Sequence, residues 1–207
     1  MSNDDVYAAG LLNRALDPAT QPPEIQTLLR AEMDVLRDRI APGMRVLDVG
    51  SGTGRHLLLL GERLGLGLGV DYERSYVAEA HRLAGDRPLH FVVGDATALP
   101  LKAVFDLAMC VTNTWGTMKD KAGVLGEMRR LAPRRGTRLL SLYSPASVPA
   151  RREWYRRLGH NVSGETAEYL ESEGGFRSEH FSEMRIRKLV GDCTISPLTD
   201  IAFVVTF

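Results

Sequence analysis

The stretch Val46-Leu47-Asp48-Val49-Gly50-Ser51-Gly52-Thr53-Gly54-Arg55-His56, VLDVGSGTGRH, runs through apolar residues and then sets glycine at alternate positions. An apolar run, a turn without side chains and a helix start predict a strand-to-helix turn. Its glycines let a ligand approach the backbone, and its amides face outward at the helix N-terminus. The spacing is GxGxG, whereas the dinucleotide fingerprint G-x-G-x-x-G would need glycine where Arg55 stands.

The same order of elements repeats on the C-terminal side. RVLDVG, LGLGVD, LHFVVGD, FDLAMCV and RLLSLYS are short apolar runs, separated by helical patterns over roughly 54–64, 73–84 and 118–132, with another over 146–157. Strands that are apolar on consecutive residues and alternate with helices predict a parallel sheet covered on both faces. CTISPL and IAFVVTF follow, joined near Pro197 to Asp200 by a link too short for a helical crossover, so they should pair antiparallel. The expected fold is α/β, a Rossmann-like doubly wound sheet of seven strands, mostly parallel with an antiparallel last strand. Upstream, Ile25, Leu28, Leu29, Met33, Leu36 and Ile40 recur at helical spacing after Pro22-Pro23. NVSGETAEYLESEGG is polar and reads as a loop, and Ser182 to Val190 as a short helix closed by Gly191.

Composition narrows the setting. The chain has 207 residues, and its 26 basic and 26 acidic residues cancel, so no global field favours nucleic acid or an acidic membrane surface. Cys110 and Cys193 lie far apart with no second cysteine near either, which suggests neither a disulfide framework nor a metal site. MSNDDVYAAG carries acids where a secretory signal would carry bases, and no apolar run approaches the ~18 residues of a membrane span. A soluble, cytoplasmic protein is expected.

Acids mark the strand ends. Asp71 closes the second strand, where a carboxylate can accept hydrogen bonds from both hydroxyls of a ribose. Asp95 closes the third strand in VVGDATALPL, where it could accept from an adenine amino group, and Asp48 sits inside the first motif. Carboxylates at the ends of successive strands point at one crevice. These residues resemble the class I S-adenosylmethionine-dependent methyltransferases, through VLDVGSGTGRH, GLGVD, FVVGDATALPL and FDLAMCV, over roughly residues 40–145 plus 192–207. The resemblance implies S-adenosylmethionine as cofactor: the Gly-rich loop meets its methionine part, the second-strand acid holds the ribose and the third-strand acid lies near the adenine. The implied cofactor set is Asp48, Gly50, Ser51, Gly52, Gly54, Asp71, Tyr72, Asp95, Ala96 and Thr112, with Tyr72 and Ala96 packing on the adenosine.

The fourth strand ends in Thr112-Asn113-Thr114-Trp115-Gly116, which resembles the matching segment of small-molecule N-methyltransferases and lacks the Asn/Asp-Pro-Pro-aromatic signature of amino-methylating nucleic-acid enzymes. The implied activity is methyl transfer to N, or O, of a small molecule, with Asn113, Tyr143 and His160 as candidate catalytic residues. Asn113 could instead cap helix 118–132 or a preceding turn, and Trp115 could be core packing. His180 is a second candidate base, His56 reads as a packing residue of the first helix, and Tyr7 could fold over the cofactor as a lid. The pairs Arg129-Arg130, Arg134-Arg135, Arg151-Arg152 and Arg156-Arg157 read as solvated helix faces; a pair facing the crevice would favour an anionic acceptor. The chain is read as one domain, 1–207: a helical leader or lid over 1–40, a cofactor-binding core over 41–145, a substrate-side region over 146–191 and closing strands over 192–207. An RNA methyltransferase, a nucleotide-dependent oxidoreductase and a non-catalytic cofactor-binding protein remain as alternatives.

Overall fold

The computed structural model describes residue 15 and residues 17–102, 104–133 and 136–207. The proposed Tyr7 lid and the Arg134-Arg135 pair lie outside the described residues. Helix α1 (Pro23–Arg39) starts with proline at its first position, where the missing N–H costs nothing, and is followed by β1 (Arg45–Val49) and α2 (Arg55–Leu60). Then come β2 (Leu66–Asp71), α3 (Arg74–Ala84), β3 (Leu89–Val93), β4 (Leu107–Cys110), α4 (Lys121–Leu131), β5 (Thr137–Tyr143) and α5 (Val148–Arg157). Three short strands, β6 (Val162–Glu165), β7 (Tyr169–Ser172) and β8 (Arg177–Glu179), precede α6 (Glu183–Val190), β9 (Thr194–Thr199) and β10 (Ala202–Thr206).

The large sheet has seven strands in the order β3-β2-β1-β4-β5-β10-β9. β1 to β5 pair in parallel and β10 runs antiparallel to both its neighbours, as expected. Pro197 does not fall in the link but within the edge strand β9, opposite Phe203, where an absent N–H is tolerated. Alternate residues of the central strands divide between two cores. Leu47, Val49, Ala108, Cys110, Leu140 and Leu142 pack with α4 and α6, while Val46, Leu107, Met109 and Leu139 pack with α1, α2 and α3. This division places Asp48 and Ser141, each in register with the second set, on the α1 face.

The polar segment after residue 160 corrects the loop reading, because it forms the antiparallel sheet β6-β7-β8. β6 and β7 alternate more and less buried residues, Leu170 and Ser172 being the buried ones on β7. Leu170 and Phe176 bury against Tyr155 of α5 in a small satellite core. The segment is too polar to announce itself as strand because only one of its faces meets protein.

Candidate active site

Gly-rich turn, strand ends and the small sheet enclose a pocket of about 600 Å³, a volume typical of small-molecule sites. Gly50, Ser51, Gly52, Asp71, Tyr72, Asp95, Ala96, Thr112 and Tyr143 all line it. Gly50 and Gly54 have φ of 73° and 80°, a region that favours glycine. A Cβ at Gly50 would meet Thr114 Cγ2 at 2.3 Å, and one at Gly54 would meet the Phe91 ring at 2.6 Å. At these two positions the protein's own side chains approach the backbone closely; Gly50 lines the pocket and Gly54 does not.

Asp71 ties the turn to the second strand. One carboxylate oxygen accepts from the Gly52 N–H at 2.8 Å and the other from Glu73 N–H at 3.0 Å. Burial raises its pKa, and those N–H donors oppose the rise. Asp95 sits at the exposed rim, accepting from the Thr97 N–H (2.8 Å) and hydroxyl (2.7 Å), which hold its carboxyl below the ordinary range. Asp48 lies outside the pocket lining, buried, and its Oδ2 has no hydrogen-bond partner among the described residues. Burial pushes its carboxyl up to about 6; His56 opposes the rise, while the negative charges of Asp71 and Glu32 add to it.

Glu32 of α1 is the residue that sequence reasoning missed. Its buried carboxylate accepts from the Thr112 N–H and hydroxyl, both at 2.8 Å, and from the Ser141 hydroxyl at 2.5 Å, with His56 Nε2 at 3.6 Å. Burial pushes the Glu32 pKa up, but the His56 hydrogen bond and charge and the two hydroxyls outweigh it, so the group stays below the usual range. Glu32 thereby clamps Thr112, which has φ of 53° although it is β-branched, a strained backbone that needs such a clamp. The signal was in the sequence: Glu32 occupies the helical stripe of Leu28, Leu29 and Leu36, where an acid is out of place unless it has buried partners.

Asn113 does not line the pocket. Its amide donates to the Ser178 hydroxyl (3.2 Å) and the Glu179 carbonyl (2.9 Å), and its oxygen accepts from the Tyr143 N–H (3.0 Å). All its polar atoms are engaged, so the structure corrects the acceptor-orienting reading: Asn113 staples β4 to β5 and β8. Nor is it the cap of α4, which Asp120 provides by accepting from Gly123 N–H at 2.9 Å. His160 also stands away from the lining, donating its N–H to the Tyr155 carbonyl just after α5, so it is not placed as a base. His180 is buried but likewise not in the lining, and Trp115 is core, stacked on Phe181 at 5.3 Å. His56, read as packing, does reach the pocket wall. The far end of the pocket is aromatic, built by Tyr143, Trp154, Tyr155 and Phe176.

Residues 46–136 match the family profile described as Methyltransferase domain. Over 96 residues the chain is 38% identical to the demethylmenaquinone methyltransferase of Roseiflexus castenholzii, covering 45% of this chain and 40% of that one. The chain spans less than half the length of the curated relatives it matches. The PH0226 protein of Pyrococcus horikoshii superposes with a TM-score of 0.71 at 18% identity, over 93% of this chain and 96% of its own. DhpI, in the DhpI-SAM-HEP complex, superposes with a TM-score of 0.69 at 17% identity, over 98% and 94% of the two chains. Residues 46–136 of this chain are therefore similar to a methyltransferase domain, and the chain shares the seven-stranded α/β fold of these solved structures.

Proposed function

We propose that the chain is an S-adenosylmethionine-dependent methyltransferase acting on N or O of a small molecule. The observation that carries this is the buried acidic cluster beside the Gly-rich turn: Asp48 with its unpartnered Oδ2, and Asp71 in the pocket wall. Carboxylates so placed suit a group bearing an ammonium, a sulfonium and a ribose diol. Asp71 at the end of β2 would suit the ribose of either cofactor, whereas the negative charge of Asp48 behind the turn disfavours a pyrophosphate there.

On this reading Asp71 holds the ribose while Tyr72, Asp95 and Ala96 border the adenine. The turn Gly50-Ser51-Gly52 meets the amino-acid end, with the carboxyl of Asp48 buried behind it, and Thr112, held by Glu32, shapes the wall where the reaction occurs. The cofactor supplies an already electrophilic methyl group, so the chain's task is to hold an acceptor lone pair about 3–3.5 Å away in line and to exclude water. Tyr143 is the remaining candidate of the catalytic trio that faces the pocket, at the carboxyl end of β5. A small acceptor fits the enclosed aromatic end, and the neutral net charge supports no nucleic-acid surface. No described helix is long and apolar enough to cross a membrane, and residence in the cytoplasm is proposed with the function.

Calorimetry tests the reading directly. S-adenosylmethionine and S-adenosylhomocysteine should bind, and NAD should give no heat. Binding of NAD with neither sulfur nucleoside would overturn it. Formation of S-adenosylhomocysteine from a panel of amines, acids and phenols then identifies the acceptor.

A further inference from the structure

Arg55 opens α2 directly after Gly54 and lines the pocket. Its side chain is half-buried rather than sealed. Nη1 stands 3.2 Å from Nε2 of His56, itself a residue of the pocket wall, and Nη2 donates to the Leu29 carbonyl of α1 at 3.4 Å. Both contacts are at or beyond the long end of a hydrogen bond's range. The other N–H groups of the guanidinium have no partner among the described residues, and its Nε is not enclosed by protein.

Among the described residues no carboxylate forms an ion pair with Arg55. Glu32 is taken by Thr112, Ser141 and His56, and Asp34 by Arg37. Burial presses the Arg55 pKa down, and the negative charge of Glu32 opposes that without meeting it. A cation drawn partly out of water and left short of an anion is stabilised by one that a ligand brings. Lys119 also lines the pocket but is exposed, so it stays solvated without a partner. Close to Arg55 in the chain, the opposite sign is supplied by Asp71 in the lining and Asp48 behind the turn. The Gly-rich turn thus has acids on the strands before and beside it and a cation on the helix after it. That arrangement matches a zwitterion, its ammonium toward the acids and its carboxylate toward the cation.

We propose that Arg55 binds the carboxylate of the cofactor's amino-acid end. This rests on the methyltransferase reading and deepens it by naming the residue that holds that group. The planar guanidinium offers a carboxylate two parallel N–H donors, and His56 and Leu29 fix where that fork stands. A carboxylate on the methyl acceptor would present the same chemistry, so the test separates the two sources.

Calorimetry on the full chain compares S-adenosylhomocysteine with its decarboxylated analogue, which keeps the amine, the thioether and the adenosine. The wild type should bind S-adenosylhomocysteine about tenfold or more tightly than the analogue. Arg55→Met should erase that ratio, weakening S-adenosylhomocysteine about tenfold and leaving the analogue little changed. Arg55→Gln, which keeps a polar amide and loses only the charge and the fork, should do the same, and it decides the matter if Arg55→Met does not fold. If Arg55 only fastened α2 to α1, both ligands would weaken together, and that result overturns the proposal. Equal binding of the two ligands by the wild type overturns it as well. An unchanged ratio in a folded variant overturns it too, and leaves the acceptor as the source of any carboxylate at Arg55. Should neither ligand bind the wild type, the cofactor reading itself fails, and the proposal with it.

Discussion

The two ends of the pocket differ in charge and in construction. The end at β1, β2 and β3 is acidic, and each of its groups lies within a few residues of a strand terminus. The end at α5 and the small sheet is aromatic, with the Arg151 guanidinium, which no described carboxylate pairs, stacked behind Tyr143, and is assembled from β5, α5 and the strands after residue 160. A group at a strand end is placed by the sheet itself, since the strand's direction and register put its terminus at the crevice. A group on α5 is placed only by what packs over it. Glu32 and Asn113 stand where the two ends meet, joining β4 to α1, β5 and β8.

The largest expected effect breaks that junction. Glu32→Ala removes the acceptor for Thr112 and Ser141 and the partner of His56, and should destabilise the fold by about 3–5 kcal/mol, read from denaturant midpoints. If stability falls by much less, the junction is not held by this carboxylate. Asn113→Ala should cost about 3 kcal/mol, because it strands the Tyr143 N–H and the Glu179 carbonyl and leaves alanine in a left-handed backbone of φ 57°. Its S-adenosylhomocysteine affinity should stay near the wild-type value; loss of affinity without loss of stability would return Asn113 to the site.

Asp48 sharpens the comparison through pH. Its folded pKa of about 6 lies above the unfolded value near 3.8, so the folded apoprotein holds the proton more tightly. Stability from this group is complete below the unfolded pKa and is lost as pH rises through 6, a penalty of about 3 kcal/mol by pH 7 or above. Asp48→Asn should therefore stabilise the apoprotein at pH 7.5 by roughly that amount and change little at pH 4, measured by thermal melts. An equal shift at both pH values would show that packing rather than ionisation is responsible. The smallest effect is expected for Asp71→Ala. Loss of one charge-assisted contact, worth roughly 1.5–3 kcal/mol, should weaken S-adenosylmethionine binding about tenfold or more in calorimetry. Unchanged affinity in the folded variant would remove Asp71 from the ribose.

Within the fold, the parallel order of β1 to β5 and the reversed β10 were legible because consecutive apolar runs and a short final link each carry a local signal. The sheet β6-β7-β8 was not, since the segment is polar and its pairing depends on burying Leu170 and Phe176 against Tyr155. Within the site, Asp71, Asp95, Tyr72, Ala96 and the turn 50–52 line one pocket. Asn113 sat at the right strand end, but its neighbours across the fold consume its amide.

The sequence alone determined the sheet, the glycine turn and the acidic strand ends, because these follow from patterns a few residues long and from the direction of a strand. Only the tertiary structure decided that Glu32 would clamp Thr112 from 80 positions away, that two of the turn's glycines make room for Thr114 and Phe91, and that Arg151 would be buried without a carboxylate while its neighbour Arg152 pairs with Glu165. Arg151 and Arg152 are identical in a sequence pattern. What separates them is the helix turn of about 100° between consecutive residues, which directs one guanidinium beneath Tyr143 and the other into water.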